Sequence, residues 1–178
     1  MTAPTPIGEA FLRSSRDYLM GDYLPRLRLV LGQLEDADLW WRGNAASNSI
    51  GNLVLHLVGN ARQWIVAGVG GAPDTRDRAA EFTAQGGLSR VGLLAHLEEG
   101  MQAVDAALAR VTVEQLLEPR RIQGIDTTVL GAIYHVVEHV STHTGQVMLL
   151  AKLRLGRDLG FWAIGPDGGA RPTWRPPT

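Results

Sequence analysis

Apolar residues recur at intervals of three and four along most of the chain, the spacing of one face of an α-helix. Between Ile7 and Leu34 the series Phe11, Leu12, Tyr18, Leu19, Leu24, Leu27, Val30 and Leu31 predicts a first helix. Pro25 should kink or split it, because proline lacks a backbone N–H and crowds the preceding turn. After a polar stretch over residues 35–47, Asn48 or Ser49 is placed to cap a second helix ending near Gly70. Its apolar stripe is Ile50, Leu53, Val54, Leu57, Val58, Ala61, Trp64 and Ile65. Ser89 is placed to cap a third helix, which runs to about Arg110 with Val91, Leu93, Leu94, Leu97, Met101, Val104, Ala107 and Leu108 on its face. Residues 112–117 read as one extra helical turn. Thr127 or Thr128 starts a fourth helix, and Gly156 should stop it by taking the left-handed cap conformation.

No stretch alternates for long enough to predict a sheet. Four amphipathic helices can bury four stripes against one another, so the expected fold class is all-α, a four-helix bundle with long loop connections and an irregular C-terminal tail. A single bundle domain is expected over residues 1–165, followed by a Gly/Pro-rich tail over 166–178 that lies on the surface and frays after Pro166. The Gly-, Pro- and Asp-rich segment 69–87 is expected to be an irregular connection and is a candidate lid.

The fourth helix carries the chemistry. Its segment HVVEHVSTHTGQV, residues 135–147, holds His135, His139 and His143, three of the five histidines of the chain, at successive four-residue intervals. Such residues stack on one helix side, where two imidazoles a turn apart can grip one divalent cation. At about 100° per residue, Val129, Ile133, Val136, Val137, Val140, Val147 and Ala151 form the core stripe. His143 lies at its edge, His139 farther out, and His135 beyond, toward the solvent face of Tyr134, Glu138, Ser141 and Lys152. The pair to expect as ligands is therefore His139 and His143, with His135 at the rim. A third nitrogen is available from His56, which falls just outside the apolar stripe of the second helix beside Ser49, Asn60 and Gln63. Asn60 and Gln146, one turn from His56 and nearly one from His143, are candidates to orient ligands or substrate. His96 on the third helix reads as a packing or surface residue.

Composition narrows the partners. The chain has 178 residues, 45% of them hydrophobic and 20% charged, with a formal net charge of −1. That balance offers no field to attract nucleic acid. No apolar run spans a membrane, and the N-terminal residues lack the order of a secretion signal, so a cytoplasmic location is expected. The absence of cysteine excludes a disulfide framework, thiolate ligands and a cysteine nucleophile. Any thiol chemistry would use an external thiol. Exposed faces of the first and third helices are candidates for homodimer contacts.

The segment GAIYHVVEHVSTHTGQVMLLAKLRLGRDLGFW resembles the last helix of the DinB-like superfamily of small bacterial metal-binding bundles, in which H-x-x-x-H followed by x-G-Q is characteristic. NSIGNLVLHLVGNARQWI resembles the second helix of that superfamily, which provides the other histidine, and RDRAAEF resembles the following loop in one branch. The resemblance covers most of residues 40–165 and implies that His56, His139 and His143 hold the metal, with no ligand role for His135. Some relatives are transferases using bacillithiol or mycothiol, and one group is a mycothiol-dependent maleylpyruvate isomerase. The branch resembled here has no established substrate.

The implied cofactor is one divalent ion, zinc or nickel by the affinity order for nitrogen donors. The expected activity is that of a metal-dependent enzyme, a thiol transferase or a hydrolase, acting on a small electrophile with or without a low-molecular-weight thiol. The alternative is a non-catalytic bundle that binds metal or senses a ligand. Because imidazole must be neutral to coordinate, metal is expected to leave as pH falls through about 6.

Overall fold

The computed structural model describes residues 6–175. Its first helical stretch consists of α1 (Pro6–Tyr18), a π-helical segment (Leu19–Tyr23) and α2 (Leu24–Leu31). Pro25 sits at the start of α2, and the N–H of Leu24 reaches back five residues to the carbonyl of Leu19. The proline break is thus absorbed as a widened turn, with the chain continuing in the same direction. A one-turn helix, α3 (Asp36–Leu39), interrupts the expected loop, its start fixed by reciprocal capping between Glu35 and Asp38.

Ser49 caps α4 (Ile50–Ala61) in a capping box with Asn52, and the helix runs on as a π-helical segment (Arg62–Val69) up to Gly70. Ser89 caps α6 (Arg90–Leu108), and a 3₁₀ turn (Glu114–Leu117) follows it. Thr128 caps α7 (Val129–Leu155), which ends at Gly156 with φ +63°. Between α4 and α6 the segment expected to be irregular contains a short helix, α5 (Arg78–Thr83), started by the Asp77 carboxylate accepting from the Ala80 N–H.

These helices pack side by side, with α4 against both α6 and α7, and with α2 and its π-helical neighbour against α7. Every residue expected on the stripe of α4 and its extension is buried, as are Val129, Ile133, Val136, Val140, Val147 and Ala151 of α7, while Val137, also expected on that stripe, is half-buried. Val91 is an exception among those expected on the α6 face. It lies in the first turn and is 71% exposed. Among the described residues no helix is long and apolar enough to cross a membrane.

Two small hairpins add to the mostly helical architecture expected. Strands β1 (Pro119–Ile122) and β2 (Ile125–Thr128) pair antiparallel, as do β3 (Trp162–Ile164) and β4 (Ala170–Pro172). The first hairpin turns on Gln123 and Gly124, with φ +54° and +77°, the doubly left-handed backbone of a tight hairpin turn. Strands of three or four residues are too short to display alternation, which is why periodicity did not reveal them. The second hairpin corrects the expectation of a fraying tail. Trp174 donates from Nε1 to Oδ1 of buried Asp22 at 2.7 Å, and the Arg26 guanidinium lies 4.2 Å over its ring. The tail therefore docks on the π-helical turn of the first stretch; residues 176–178 lie outside the described chain.

Candidate metal centre

The packing of α4 on α7 brings His56 against His139 and His143. His56 is buried, while His139 and His143 are half-buried on successive turns of α7. One ring nitrogen from each lies within 4.8 Å of the others, and the Nε2 atoms of His56 and His139 are 3.1 Å apart. Two nitrogens bound to one ion at about 2.0–2.1 Å lie about 3.3 Å apart in tetrahedral geometry and about 2.9 Å apart when cis in an octahedron. The observed separation falls between these values. The residues present therefore fit a shared divalent ion, with the His56–His139 pair already at ligand spacing.

Which nitrogen each ring offers follows from what holds its other side. Nδ1 of His56 lies 2.9 Å from Oε2 of Glu81 on α5. Arg76 donates to the same carboxylate twice, from Nε to Oε1 at 2.7 Å and from Nη2 to Oε2 at 2.8 Å, and from Nη1 to Oε1 of Gln63 at 2.9 Å. Arg76 Nη2 is also 3.0 Å from His56 Nδ1. Since the ionised Glu81 carboxylate only accepts and Arg76 Nη2 already donates to it, we assign the proton of Nδ1 to the bond with Glu81, so that two N–H groups converge on one carboxylate oxygen. His56 then has a bare Nε2 facing His139, and the carboxylate raises its basicity as a ligand.

Gly59 is part of this grip. A Cβ at that position would collide with Oε1 of Glu81 and come within 3.2 Å of Arg76 Nε, so the carboxylate rests directly on the glycine backbone. Phe82, next to Glu81, packs its ring 4.6 Å from that of His56. Spacing alone did not identify Glu81 or Arg76 as partners of His56. Both lie in RDRAAEF, where Asp77 followed by Ala79, Ala80 and Phe82 forms a helix-start signal that would have placed Glu81 on a helix.

Of the residues expected to assist, Gln146 meets His143, its Oε1 accepting at 2.7 Å from Nδ1 and leaving Nε2 of that ring bare. Asn60 makes no side-chain hydrogen bond to His56. Its Nδ2 is instead 3.3 Å from Nε2 of His135, whose ring stacks at 4.0 Å on Trp64. His135 stays outside the converging trio: its ring centroid is 5.5 Å from that of His139, and among the described residues only His56, His139 and His143 bring nitrogens together. His139 Nδ1 is buried with no hydrogen-bond partner. With His56 Nε2 bare, the 3.1 Å contact requires the proton on Nε2 of His139. Coordination through Nε2 would shift that proton to Nδ1.

Burial, more than charge, sets the protonation of the α7 histidines. Desolvation, reinforced by the neighbouring imidazoles and Arg76, lowers His139 to about 3. Desolvation also lowers His143, against the opposing hydrogen bond to Gln146, and lowers His135. These rings are neutral at physiological pH and need lose no proton to coordinate. Proton competition at His139 and His143 therefore sets in at lower pH than at an ordinary imidazole. Burial raises Glu81, but the hydrogen bonds and charges of Arg76 and His56 outweigh it and hold its carboxyl below the usual range.

A family model described as a protein of unknown function (DUF1572) matches residues 7–167. A DinB-like protein from Bacillus cereus superposes with a TM-score of 0.66 at 18% identity, covering 85% of this chain and 94% of that one. A DinB-like protein from Bacillus subtilis gives 0.63 at 16% identity, covering 82% and 93%. The fold is thus DinB-like. No curated protein matches the sequence.

Proposed function

Because the chain belongs to the DUF1572 family of proteins of unknown function, whose name supplies no reaction, we propose its chemistry from the site itself: a divalent-metal-dependent enzyme of the cytoplasm, built as a four-helix bundle, acting on a small electrophile. The observation that carries this reading is the convergence of three imidazole nitrogens within 4.8 Å, with the far side of two of the rings already held by acceptors. Zinc or nickel suits three neutral nitrogen donors. His56, His139 and His143 would hold the ion, and His135 would take no part in holding it. A divalent cation held by three neutral ligands keeps its full charge and supplies Lewis acidity, lowering the pKa of a coordinating thiol or water.

The protein's own groups set the stage for that chemistry. Burial keeps His139 and His143 neutral, so both offer lone pairs and add no positive charge. Glu81 orients His56 and, by accepting its Nδ1 proton, strengthens Nε2 as a donor. Gln146 does the same for His143. Trp64 and Asn60 hold His135 beside the trio, where its imidazole can contact a substrate without coordinating the ion. Three protein ligands would leave room at such an ion for small molecules, the arrangement of a working site. With no cysteine in the chain, sulfur chemistry would enter as a low-molecular-weight thiol cosubstrate.

The test is a screen of zinc- and nickel-loaded protein against small electrophiles, with and without low-molecular-weight thiols, beside the His56→Ala variant. Turnover that needs the ion and disappears in the variant supports the enzyme. A loaded protein that retains its ion and turns over nothing in either arm favours the non-catalytic, ligand-sensing alternative.

A further inference from the structure

Behind His56 lies a cavity of about 340 Å³, bounded by α4 and its π-helical extension, the segment 72–77, α5, and His96 of α6. Its size falls within the range of small-molecule sites. Glu81 and Arg76 line it, but none of the three convergent histidines does. Since His56 turns Nδ1 toward Glu81 and Nε2 toward His139, the Arg76–Glu81 pair stands between this cavity and the metal centre. A molecule bound here is therefore not positioned to react there.

Most of the wall is apolar, with Leu55, Val58, Val66, Ala67 and Pro73 contributing. The charged groups divide unequally between committed and free. Asp74 accepts from Gln63 at 2.6 Å and from the Arg76 backbone at 3.1 Å. Asp77 caps α5, and Glu81 is bound by Arg76 and His56. Arg76 has spent Nε, Nη1 and Nη2 on Glu81 and Gln63. The guanidinium of Arg62, exposed at the rim, makes no hydrogen bond or ion pair with any other described residue. Beside it His96 is kept neutral by burial and by the charge of Arg62, which lower its pKa. Among the described residues Arg62 is thus the one charged side chain of the lining whose polar atoms have no hydrogen-bond or ion-pair partner.

We propose that this cavity binds a small monocarboxylate with an apolar body, its carboxylate meeting Arg62 at the rim and its body lying on the Leu55–Val58–Val66 wall. The site goes beyond the metal chemistry proposed above and does not depend on it. An occupant would press on the outer side of the Arg76–Glu81 pair, whose inner side orients His56, which gives it a physical route to modulate the metal centre.

The experiment uses 4-phenylbutyrate and its neutral counterpart 4-phenyl-1-butanol, titrated into full-length protein with isotope-labelled Leu and Val methyls and followed by NMR. We expect 4-phenylbutyrate to shift the methyls of Leu55, Val58 and Val66 saturably. The alcohol, and the acid against Arg62→Gln, should bind about threefold more weakly, since an ion pair with an exposed guanidinium is lost. Ala67→Phe, which narrows the cavity, should abolish the shifts; Ala72→Phe serves if that variant is not folded. Equal binding of acid and alcohol, an unchanged affinity in Arg62→Gln, shifts confined to α7, or no saturable shift at millimolar ligand would each overturn the proposal.

Discussion

His56 is held from two sides, and the two sides are made of different kinds of chain. Toward α7 its Nε2 faces His139 at 3.1 Å, and the partners there are carried by a 27-residue helix. Toward the rear its Nδ1 meets Glu81 at 2.9 Å, and the partners come from a short connecting segment and the six-residue α5. The front side supplies the metal donors, which need only correct helical spacing. The rear side supplies direction: a buried carboxylate, a buried guanidinium and a glycine that lets the carboxylate rest on helix backbone. The difference teaches that the electrostatics of the site reside in the segment that looks least ordered in composition.

Breaking the rear side should have the largest effect. Glu81→Ala leaves the Arg76 charge buried and unpaired beside His56, which should cost about 3–5 kcal/mol of stability, read by chemical denaturation. Zinc affinity should fall with it, because the same cation then faces the ligand ring. Replacing both partners, Arg76→Met with Glu81→Leu, should recover most of the stability without recovering the affinity, which separates folding from orientation.

Gly59→Ala is subtler. Its methyl group must displace the Glu81 carboxylate, so zinc affinity should drop about 10-fold or more, the usual effect of losing a partner behind a metal ligand. Stability should change less, because alanine is the better helix former by about 1 kcal/mol. A variant that binds zinc like wild type would show that the close contact with Glu81 does not govern the ligand.

Acid should act on both sides with the same sign. His139 is lowered to about 3 in the folded protein from its ordinary value of 6.5, so the unfolded chain takes up more protons between those values. Glu81, also lowered, contributes stability above the ordinary carboxylate range and loses it as pH falls through its folded value. Metal-free protein should therefore melt at progressively lower temperature from pH 7 down to pH 4, and His139→Ala should flatten the upper part of that slope. The smallest effect belongs to Gln146→Ala. Its side chain is exposed and supports His143 from within the same helix, so zinc affinity should fall about 10-fold at most, measured by competition with a chromophoric chelator.

The sequence made the front side legible and the rear side only in outline. His139 and His143 lie one turn apart on a long helix whose apolar stripe fixes its rotation, and His56 falls beside the stripe of α4, so geometry could be argued from spacing alone. Asn60 illustrates the limit of that argument. One turn from His56 on the right face, it bonds His135, because a side chain's partner depends on which neighbouring rotamers fill the space. Glu81 was further from reach, since α5 is too short for periodicity and its contact with His56 spans 25 residues of chain. The hairpins at 119–128 and 162–172 escaped for the same reason of length. The docking of Trp174 on Asp22 depends on a contact 152 residues apart.

The central claim is that His56, His139 and His143 hold a divalent ion while His135, one turn away, does not. Elemental analysis of untagged protein, incubated with zinc and desalted, tests it directly when wild type is compared with His139→Ala and His135→Ala, each checked for folding by circular dichroism. The account predicts one equivalent of zinc in wild type and in His135→Ala, and none in folded His139→Ala. Loss of zinc from His135→Ala as complete as from His139→Ala, or no zinc in the wild type, would contradict it.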